Sequence, residues 1–175
     1  GNFQYEGLTF TKENFGEIPV FHYYYYITPE IKYNLYLRND PRKNLVPFTG
    51  RSIEIFKSDT VYLSVNPENL TQCEYGRVGI SSLASFLADN QFSVKGASQN
   101  KTLAKEANVE YATCESNPYD VVISLQAADK TNVIHNSLNC YAINIANCEV
   151  LPAIEKFQTQ MILDARARKL EADNN

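Results

Sequence analysis

The spacing of hydrophobic residues changes character about one third of the way along the chain. Up to residue 65, β-branched and aromatic residues form short runs or alternate with polar ones, a pattern typical of strands. Polar turns that contain proline or asparagine separate these runs. The pattern predicts an antiparallel meander with strands at residues 7–11, 19–27, 32–38, 52–57 and 61–65.

The second part of the chain mixes helical and strand periods. Residues 77–90 place apolar side chains at helical spacing, and residues 103–107 predict a further helical turn. Strands are predicted at residues 92–94, 109–114, 120–128, 132–136 and 140–146. A last helix follows Asn147, which can cap it, and carries one apolar stripe: Val150, Leu151, Ile154, Phe157, Met161 and Ala165.

These elements predict an α/β (α+β) fold built on a mixed sheet. A strand–helix–strand unit is followed by a meander and a closing C-terminal helix, with helices on one or both faces of the sheet. The β-rich portion, residues 2–66, either extends that sheet or forms a small second one, and residues 67–175 form the α/β portion. Because the chain has 175 residues and no linker-like segment, we expect a single domain.

Composition and charge exclude several classes of protein. Hydrophobic residues make up 44% of the chain and charged residues 21%, which is ordinary for a globular protein and excludes wholesale disorder. The net charge of −4, without a polybasic run, disfavours a nucleic-acid-binding protein. No run approaches the ~18 consecutive apolar residues of a membrane span, so we expect none of these residues to cross a bilayer.

Cysteines and glycosylation sequons indicate the compartment. The sequons at Asn69 and Asn100 lie in polar, turn-like stretches that can accommodate a glycan. The cysteines are either buried thiols of a cytosolic protein or two disulfides formed in an oxidising compartment. The even cysteine number, the sequons, the acidic charge and the many tyrosines together favour an extracytoplasmic protein. The chain has four cysteines without a Cys-x-x-Cys pair: Cys73, Cys114, Cys140 and Cys148.

The predicted topology decides how the cysteines pair. Cys140 and Cys148 flank one predicted strand, which separates their Cα atoms by roughly 26 Å, far beyond the ~7 Å limit of a disulfide. With alternating strand directions, Cys114 and Cys140 both lie at the lower end of the sheet. A right-handed crossover after residues 61–65 places Cys73 at the upper end, together with Cys148. We therefore predict the disulfides Cys114–Cys140 and Cys73–Cys148.

No residue pattern predicts catalysis, a metal ion or a cofactor. His22 and His135 each fall inside a predicted strand, where a structural or surface role is the better interpretation. The sequence contains no serine-hydrolase elbow, zinc-protease helix or calcium loop. Residues 76–79 (Gly-Arg-Val-Gly) open a helix after a strand, where a phosphate can bind, but they lack the spacing of a nucleotide-binding loop. A turn followed by a helix start is the simpler interpretation.

The tyrosine run at residues 23–26 is the most unusual feature of the composition. Successive residues of a strand face opposite sides, so one pair of rings can pack in the core while the other pair is presented to solvent. Exposed rings can bind a glycan or another protein. The alternative is a sheet that helices or a second subunit cover on both faces. The candidate binding surface consists of Tyr23, Tyr24, Tyr25, Tyr26, Tyr36 and Arg42.

Three short strings of residues carry a resemblance to known proteins. Residues 37–43 (Leu-Arg-Asn-Asp-Pro-Arg-Lys), 139–141 (Asn-Cys-Tyr) and 147–149 (Asn-Cys-Glu) resemble a pattern in archaeal membrane-anchored proteins to which no activity is attached. The similarity runs from about Tyr33 to Phe157. It implies one extracytoplasmic, disulfide-bonded domain, a cell-surface location and an N-terminal anchor upstream of these residues. It transfers no functional residue.

Two functions from different classes follow from these observations. The first is an extracytoplasmic binding or structural module of a cell-surface or envelope protein, with a protein or a glycan as partner and no nucleic acid. The alternative is an extracytoplasmic hydrolase that acts on glycans through dispersed carboxylates, which a pocket with two close carboxyl groups would favour. Nucleotide binding at residues 76–79 is a third hypothesis. The ligand and the oligomeric state stay open.

Overall fold

The computed structural model describes the backbone of residues 1–175 and every side chain except that of Ile27. Within these residues the α-helices are α1 (Gly76–Asp89), α2 (Lys101–Ala107) and α3 (Val150–Asp173), and a 3-10 turn spans Pro41–Lys43. The strands are β1 (Asn2–Tyr5), β2 (Leu8–Phe15), β3 (Ile18–Thr28), β4 (Ile31–Leu37), β5 (Phe48–Gly50), β6 (Thr60–Val65), β7 (Ser93–Ser98), β8 (Glu110–Tyr111), β9 (Val121–Ala127), β10 (Asn132–Ser137) and β11 (Cys140–Ile145).

The strands form two sheets, which confirms the predicted α+β class with a closing helix. The first sheet is an antiparallel meander in the order β1-β2-β3-β4, and the second is mixed, in the order β5-β10-β11-β9-β6-β7-β8. In the second sheet β6, β7, β8, β9 and β11 are parallel, whereas β10 runs against β11 and carries β5 at its outer edge. The N-terminal strands therefore form a separate sheet and do not extend the mixed one.

Helices α1 and α3 pack against both sheets and share one hydrophobic core with them. The first half of α3 is accordingly buried on more than one side, where Phe157, Ala153 and Ile154 are all but inaccessible to solvent. Gly79 of α1 allows the two helices to approach closely, since a Cβ atom there would lie 2.7 Å from a methyl carbon of Val150. Polar residues of α3 are buried in this layer as well: Glu155, Gln158 and Thr159.

The alternation at residues 52–57 does not form the predicted strand. Ile53 and Ile55 are buried, but the backbone here follows α3 instead of another strand. The Ile53 N–H donates to the Asp164 carboxylate at 2.8 Å, and the Ile53 carbonyl accepts from Arg168 at 2.7 Å. Polar side chains of α3 thus form the hydrogen bonds that a neighbouring strand would otherwise supply to this backbone. The alternation of apolar and polar residues here indicates only which side of the segment is buried.

Further differences concern the sheet to which a strand belongs, the borders of elements and the burial of one residue. Strand β6 belongs to the parallel sheet, not to the N-terminal meander, and strands β1 and β5 were not predicted. The strand predicted at residues 109–114 shortens to two residues. Asn147 has a left-handed backbone (φ 53°) and lies before the cap position, which Glu149 occupies without a capping side-chain bond. Ala165, predicted in the apolar stripe of α3, is exposed.

Both predicted disulfides are present. Cys73 is bonded to Cys148 and Cys114 to Cys140, with Cα–Cα distances of 5.4 and 5.7 Å. Strands β6, β9 and β11 run parallel, as the pairing argument requires. The first bond joins the loops that leave β6 and β11 at one edge of the sheet, and the second ties the segment before β9 to the start of β11.

The two disulfides indicate an oxidising, extracytoplasmic environment. None of the helices described combines the length and the apolar composition that crossing a membrane requires.

Candidate functional site

The tyrosines of the predicted binding surface divide between the two faces of strand β3. Tyr23 and Tyr25 face inward and are partly buried against the core, where Tyr25 meets the ring of Tyr33 edge-on at 5.4 Å. Tyr24 and Tyr26 face outward and are about half exposed, at 48% and 55%. The predicted single surface is thus two surfaces, one on each side of the sheet.

The inner tyrosines form one wall of a cleft of about 560 Å³. The opposite wall is the C-terminal half of α3, and the floor is made of buried apolar residues of α1, α3 and the segment before β6. This volume lies within the range of small-molecule sites, about 300–1,000 Å³. The residues that define it are Tyr23, Tyr25, Tyr33, Ile55, Lys57, Phe86, Asn90, Phe92, Met161, Ile162, Ala165, Arg166, Arg168, Lys169, Leu170 and Asp173, with Tyr26 at the rim.

Along both walls, the type of side chain that faces inward changes at the level of the cleft. On β4 the inward-facing residues change from Leu37 and Leu35, which are fully buried, to Tyr33. On α3 the buried positions Met161 and Ile162 are followed along the same face, at spacings of three and four residues, by exposed side chains. These are Ala165, Arg166, Lys169, Leu170 and Asp173. The cleft therefore begins where fully buried aliphatic residues give way to these side chains.

Positive charge collects in this cleft although the chain as a whole carries a net charge of −4. Its cationic residues are Lys57, Arg166, Arg168 and Lys169, and its one carboxylate is Asp173. Arg168 is already engaged, since it bonds the Ile53 carbonyl and approaches Glu54 at 3.4 Å. For the side chains that the structure describes, Arg166 and Lys169 have no ion-pair partner.

Lys57 and Tyr25 meet at the buried residue Asn90. The Lys57 ammonium donates to the Asn90 carbonyl and lies 4.1 Å from the centre of the Phe92 ring, a cation–π contact. The Tyr25 hydroxyl donates to Asn90 Oδ1 at 3.2 Å. Burial lowers the pKa of Lys57. Burial, reinforced by the neighbouring Tyr33 and Tyr23, raises the pKa of Tyr25 to about 12. The Tyr25 hydroxyl consequently stays neutral and does not offset the positive charge.

The outer face of the meander carries exposed aromatic rings around a buried histidine. His22 Nδ1 contacts the Glu13 carboxylate, its Nε2 lies 2.8 Å from Asn34 Oδ1, and its ring stacks on Tyr36 at 4.3 Å. His135 is buried in the same manner, against backbone carbonyl oxygens and the Tyr141 ring. These contacts agree with the structural roles predicted for both histidines.

Arg42 does not join the tyrosines. Its guanidinium pairs with Asp40 at 2.7 Å and lies 3.7 Å from the centre of the Phe3 ring. The Arg42 side chain holds the pKa of Asp40 below its usual range, chiefly through this hydrogen bond. The charged loop is therefore tied down locally. Contact of Tyr24, Tyr26 and Tyr36 with a protein or glycan partner stays a prediction.

The carboxyl edge of the parallel strands contains a row of amide side chains that the sequence did not reveal. In open α/β sheets, ligands bind where the strand order reverses, here between β6 and β9. Gln99 crosses this point and donates to the Ser64 carbonyl at 3.0 Å and to Gln126 at 2.8 Å. Gln126 donates to Asn144, which donates to Asn132. The chain's own amides are thus hydrogen-bonded to one another along this edge.

The glycines at the start of α1 have packing roles. A Cβ atom at Gly76 would lie 2.4 Å from the Leu70 carbonyl oxygen, and Gly79 faces Val150 of α3. At both positions a side chain would prevent the close approach of α1 to the neighbouring segment, so packing alone accounts for glycine there. The structure therefore gives no support to nucleotide binding at residues 76–79.

Both sequons lie at the carboxyl edge of the parallel sheet. Asn69 and Asn100 are exposed and follow β6 and β7, respectively. Asn100 Oδ1 accepts from the Leu103 N–H at 3.0 Å and so caps α2. An N-linked glycan is attached through Nδ2, so the cap is compatible with modification.

A second, polar cavity of about 570 Å³ lies beside the ends of β9 and β11. Two of the strings that carry the resemblance, residues 37–43 and 147–149, contribute to it through Asn39, Asp40, Lys43, Asn147 and Glu149. It is lined by both carboxylates and lysines, and it has no aromatic lining among the described residues. Nor does any group of three or more His, Cys, Asp or Glu side chains in the described part of the chain form a metal site.

Comparison with protein families, with curated proteins and with solved structures gave no match to this chain.

Proposed function

We propose that this chain is the ligand-binding domain of an extracytoplasmic protein at the cell surface or in the envelope, and that the tyrosine cleft is its binding site. The observation that carries the proposal is the convergence of aromatic rings, unpaired cations and an apolar floor in one recess. Such sites combine a mainly apolar lining with a few charged or polar groups that orient the ligand. The resemblance to archaeal membrane-anchored proteins supports tethering by an upstream segment.

The same cleft gives little support to the alternative, a glycan hydrolase. That chemistry uses two carboxyl groups on either side of the scissile bond, about 5–10 Å apart. Among the described residues that line the cleft, Asp173 is the one carboxylate. Binding without hydrolysis therefore fits the lining better.

The test is an amide-resolved NMR titration of the disulfide-bonded protein with decanoate, chitotriose and an oligogalacturonate. Ala165→Phe places a ring in the cleft from an exposed helical position, and Ala167→Phe makes the same change outside the lining. We expect at least one probe to shift cleft residues in the wild type and in Ala167→Phe but not in Ala165→Phe. The proposal is wrong if no probe shifts the cleft, or if Ala165→Phe responds like the wild type. Release of shortened oligosaccharides would favour the hydrolase.

A further inference from the structure

We infer that the ligand of the cleft is a free anionic amphiphile, a molecule with one acidic group on an apolar acyl or aryl body. This inference rests on the proposed function and names its ligand class. Three features of the cleft carry it: the chemistry of the floor, the unpaired cations of α3 and the depth of the apolar residues.

The floor selects an apolar body over a sugar. Ile55, Met161 and Ile162 offer no hydrogen-bonding group. The amide of Asn90 is already used, because its Nδ2 donates to the Phe86 carbonyl at 2.7 Å and its Oδ1 accepts from Tyr25. A buried sugar needs partners for several hydroxyls, and each hydroxyl left without a partner opposes binding. An acyl chain or an aryl ring needs none.

The cations select an acidic group. Arg166 and Lys169 are three residues apart on one face of α3, and the Arg166 guanidinium lies close to Gly7, in the turn between β1 and β2. Both line the cleft without an ion-pair partner in the described structure, and Lys57 adds a further positive charge at the same recess. Charge complementarity of this kind favours a carboxylate, phosphate or sulfonate over a neutral or cationic group.

The position of the apolar residues favours a single free molecule over a bilayer surface. Ile55 and Met161 are each 8% exposed and lie at the bottom of the recess. One chain that enters the cleft contacts them, whereas a flat membrane surface touches only the rim. The inference therefore concerns a monomeric amphiphile, not a lipid headgroup in a membrane.

The experiment compares decanoate with decanol by calorimetric titration at low salt, below the concentration at which either aggregates. Decanoate is expected to bind at least fivefold more tightly, because only its head is charged. The double variant Arg166→Gln/Lys169→Gln is expected to lose this preference while decanol binding stays unchanged. Lys101→Gln/Lys105→Gln, which removes two exposed charges from α2, is the matched control and is expected to bind like the wild type.

Each other outcome overturns a defined part of the inference. Equal binding of decanoate and decanol, abolished by Ala165→Phe, refutes the acidic group and leaves the proposed binding site intact. Binding of chitotriose or oligogalacturonate at the cleft, with no decanoate binding, refutes the ligand class. Binding to vesicles that contain phosphatidylglycerol, with no binding of monomeric decanoate, refutes the free ligand. If neither amphiphile binds and the oligosaccharides leave the cleft unchanged, the proposed function fails as well.

Discussion

Glu155 of α3 and Asn39, the second residue after β4, are joined by two hydrogen bonds to one carboxylate oxygen. The Asn39 N–H donates to Glu155 Oε1 at 3.1 Å and its Nδ2 donates at 2.8 Å, while Oε2 accepts from the Arg38 N–H. Glu155 is 4% exposed. This carboxylate fastens the end of the meander to the central helix, and the same helix forms a wall of the cleft.

Replacing Glu155 by Gln should destabilise the fold and change its pH dependence. The side-chain amide of Gln has an NH2 donor in place of one carboxylate oxygen, whereas both oxygens of Glu155 accept hydrogen bonds. We therefore expect a loss of about 1–3 kcal/mol in unfolding free energy at neutral pH. Burial raises the pKa of Glu155 in the folded state, and hydrogen bonds from Arg38 and Asn39 oppose this shift only in part. The folded protein therefore holds the Glu155 proton to a higher pH than the unfolded chain does.

That difference fixes the sign of the pH effect. As pH rises from the ordinary glutamate pKa of about 4.3 through the raised folded value, the contribution of Glu155 to stability falls, and above that window it is constant. Urea unfolding of the wild type and of Glu155→Gln at about pH 4 and about pH 7 tests this sign. The other titratable groups are shared by both proteins, so their contributions to the pH dependence largely cancel in the difference. The stability gap should be wider at the acidic pH. A gap that widens toward neutral pH would contradict a raised pKa.

Gly79 should not tolerate alanine. The added methyl would meet Val150 at 2.7 Å and Ile154 at 3.1 Å, which must push α1 and α3 apart. We expect Gly79→Ala to cost about 1–3 kcal/mol. Gly96→Ala is the control, since nothing lies within 4 Å of its Cβ position. Thermal unfolding of both variants measures the effect, and equal melting temperatures would show that the helices have room to adjust.

Gln99 should contribute to stability through the switch point of the sheet. Gln99→Ala removes the donor that serves the Ser64 and Leu125 carbonyls and leaves the Gln126 oxygen without this partner. A loss of about 1–3 kcal/mol is expected in denaturant unfolding. Gln72→Ala, at an exposed position, should change stability by less than about 0.5 kcal/mol. Indistinguishable values for the two variants would mean that water replaces Gln99 fully.

The two disulfides should differ in their contribution because they close loops of different length. The sequence separations are 75 residues for Cys73–Cys148 and 26 for Cys114–Cys140. Loop-closure entropy then predicts about 4.5 and about 3.5 kcal/mol, respectively. Guanidinium unfolding of the two double Cys→Ala variants measures both values, after peptide mapping of the wild type confirms the pairing in solution. A larger loss for the shorter loop would show that strain or residual structure outweighs chain entropy.

Several features of the fold could be predicted from the order of residues. The alternation at residues 32–38 and the helical spacing at residues 77–90 indicate which side of each element is buried. This signal does not depend on how the elements are arranged relative to one another. The disulfide pairing also followed from the sequence, because strand directions fix which end of the sheet each cysteine occupies. The alternation at residues 52–57 misled because a helix, not a strand, satisfies that backbone.

The candidate site could be predicted only in part. Alternation along β3 already separates Tyr23 and Tyr25 from Tyr24 and Tyr26, but it cannot say which pair faces a cleft. That depended on the docking of α3, which begins at residue 150 and brings Arg166 and Lys169 opposite the inner tyrosines. The amide row from Gln99 to Asn132 was equally hidden, because four separate segments supply one polar side chain each.

The sequence by itself therefore determined the fold class, the disulfides and the oxidising compartment they indicate, since these depend on local periodicity and strand direction. The tertiary structure alone decided which tyrosines line a cavity, which cations stay unpaired and which glycines are needed for packing. The physical reason is distance along the chain. The cleft is made by long-range packing of the first sheet, α1 and α3, and no local pattern of residues encodes where these elements meet.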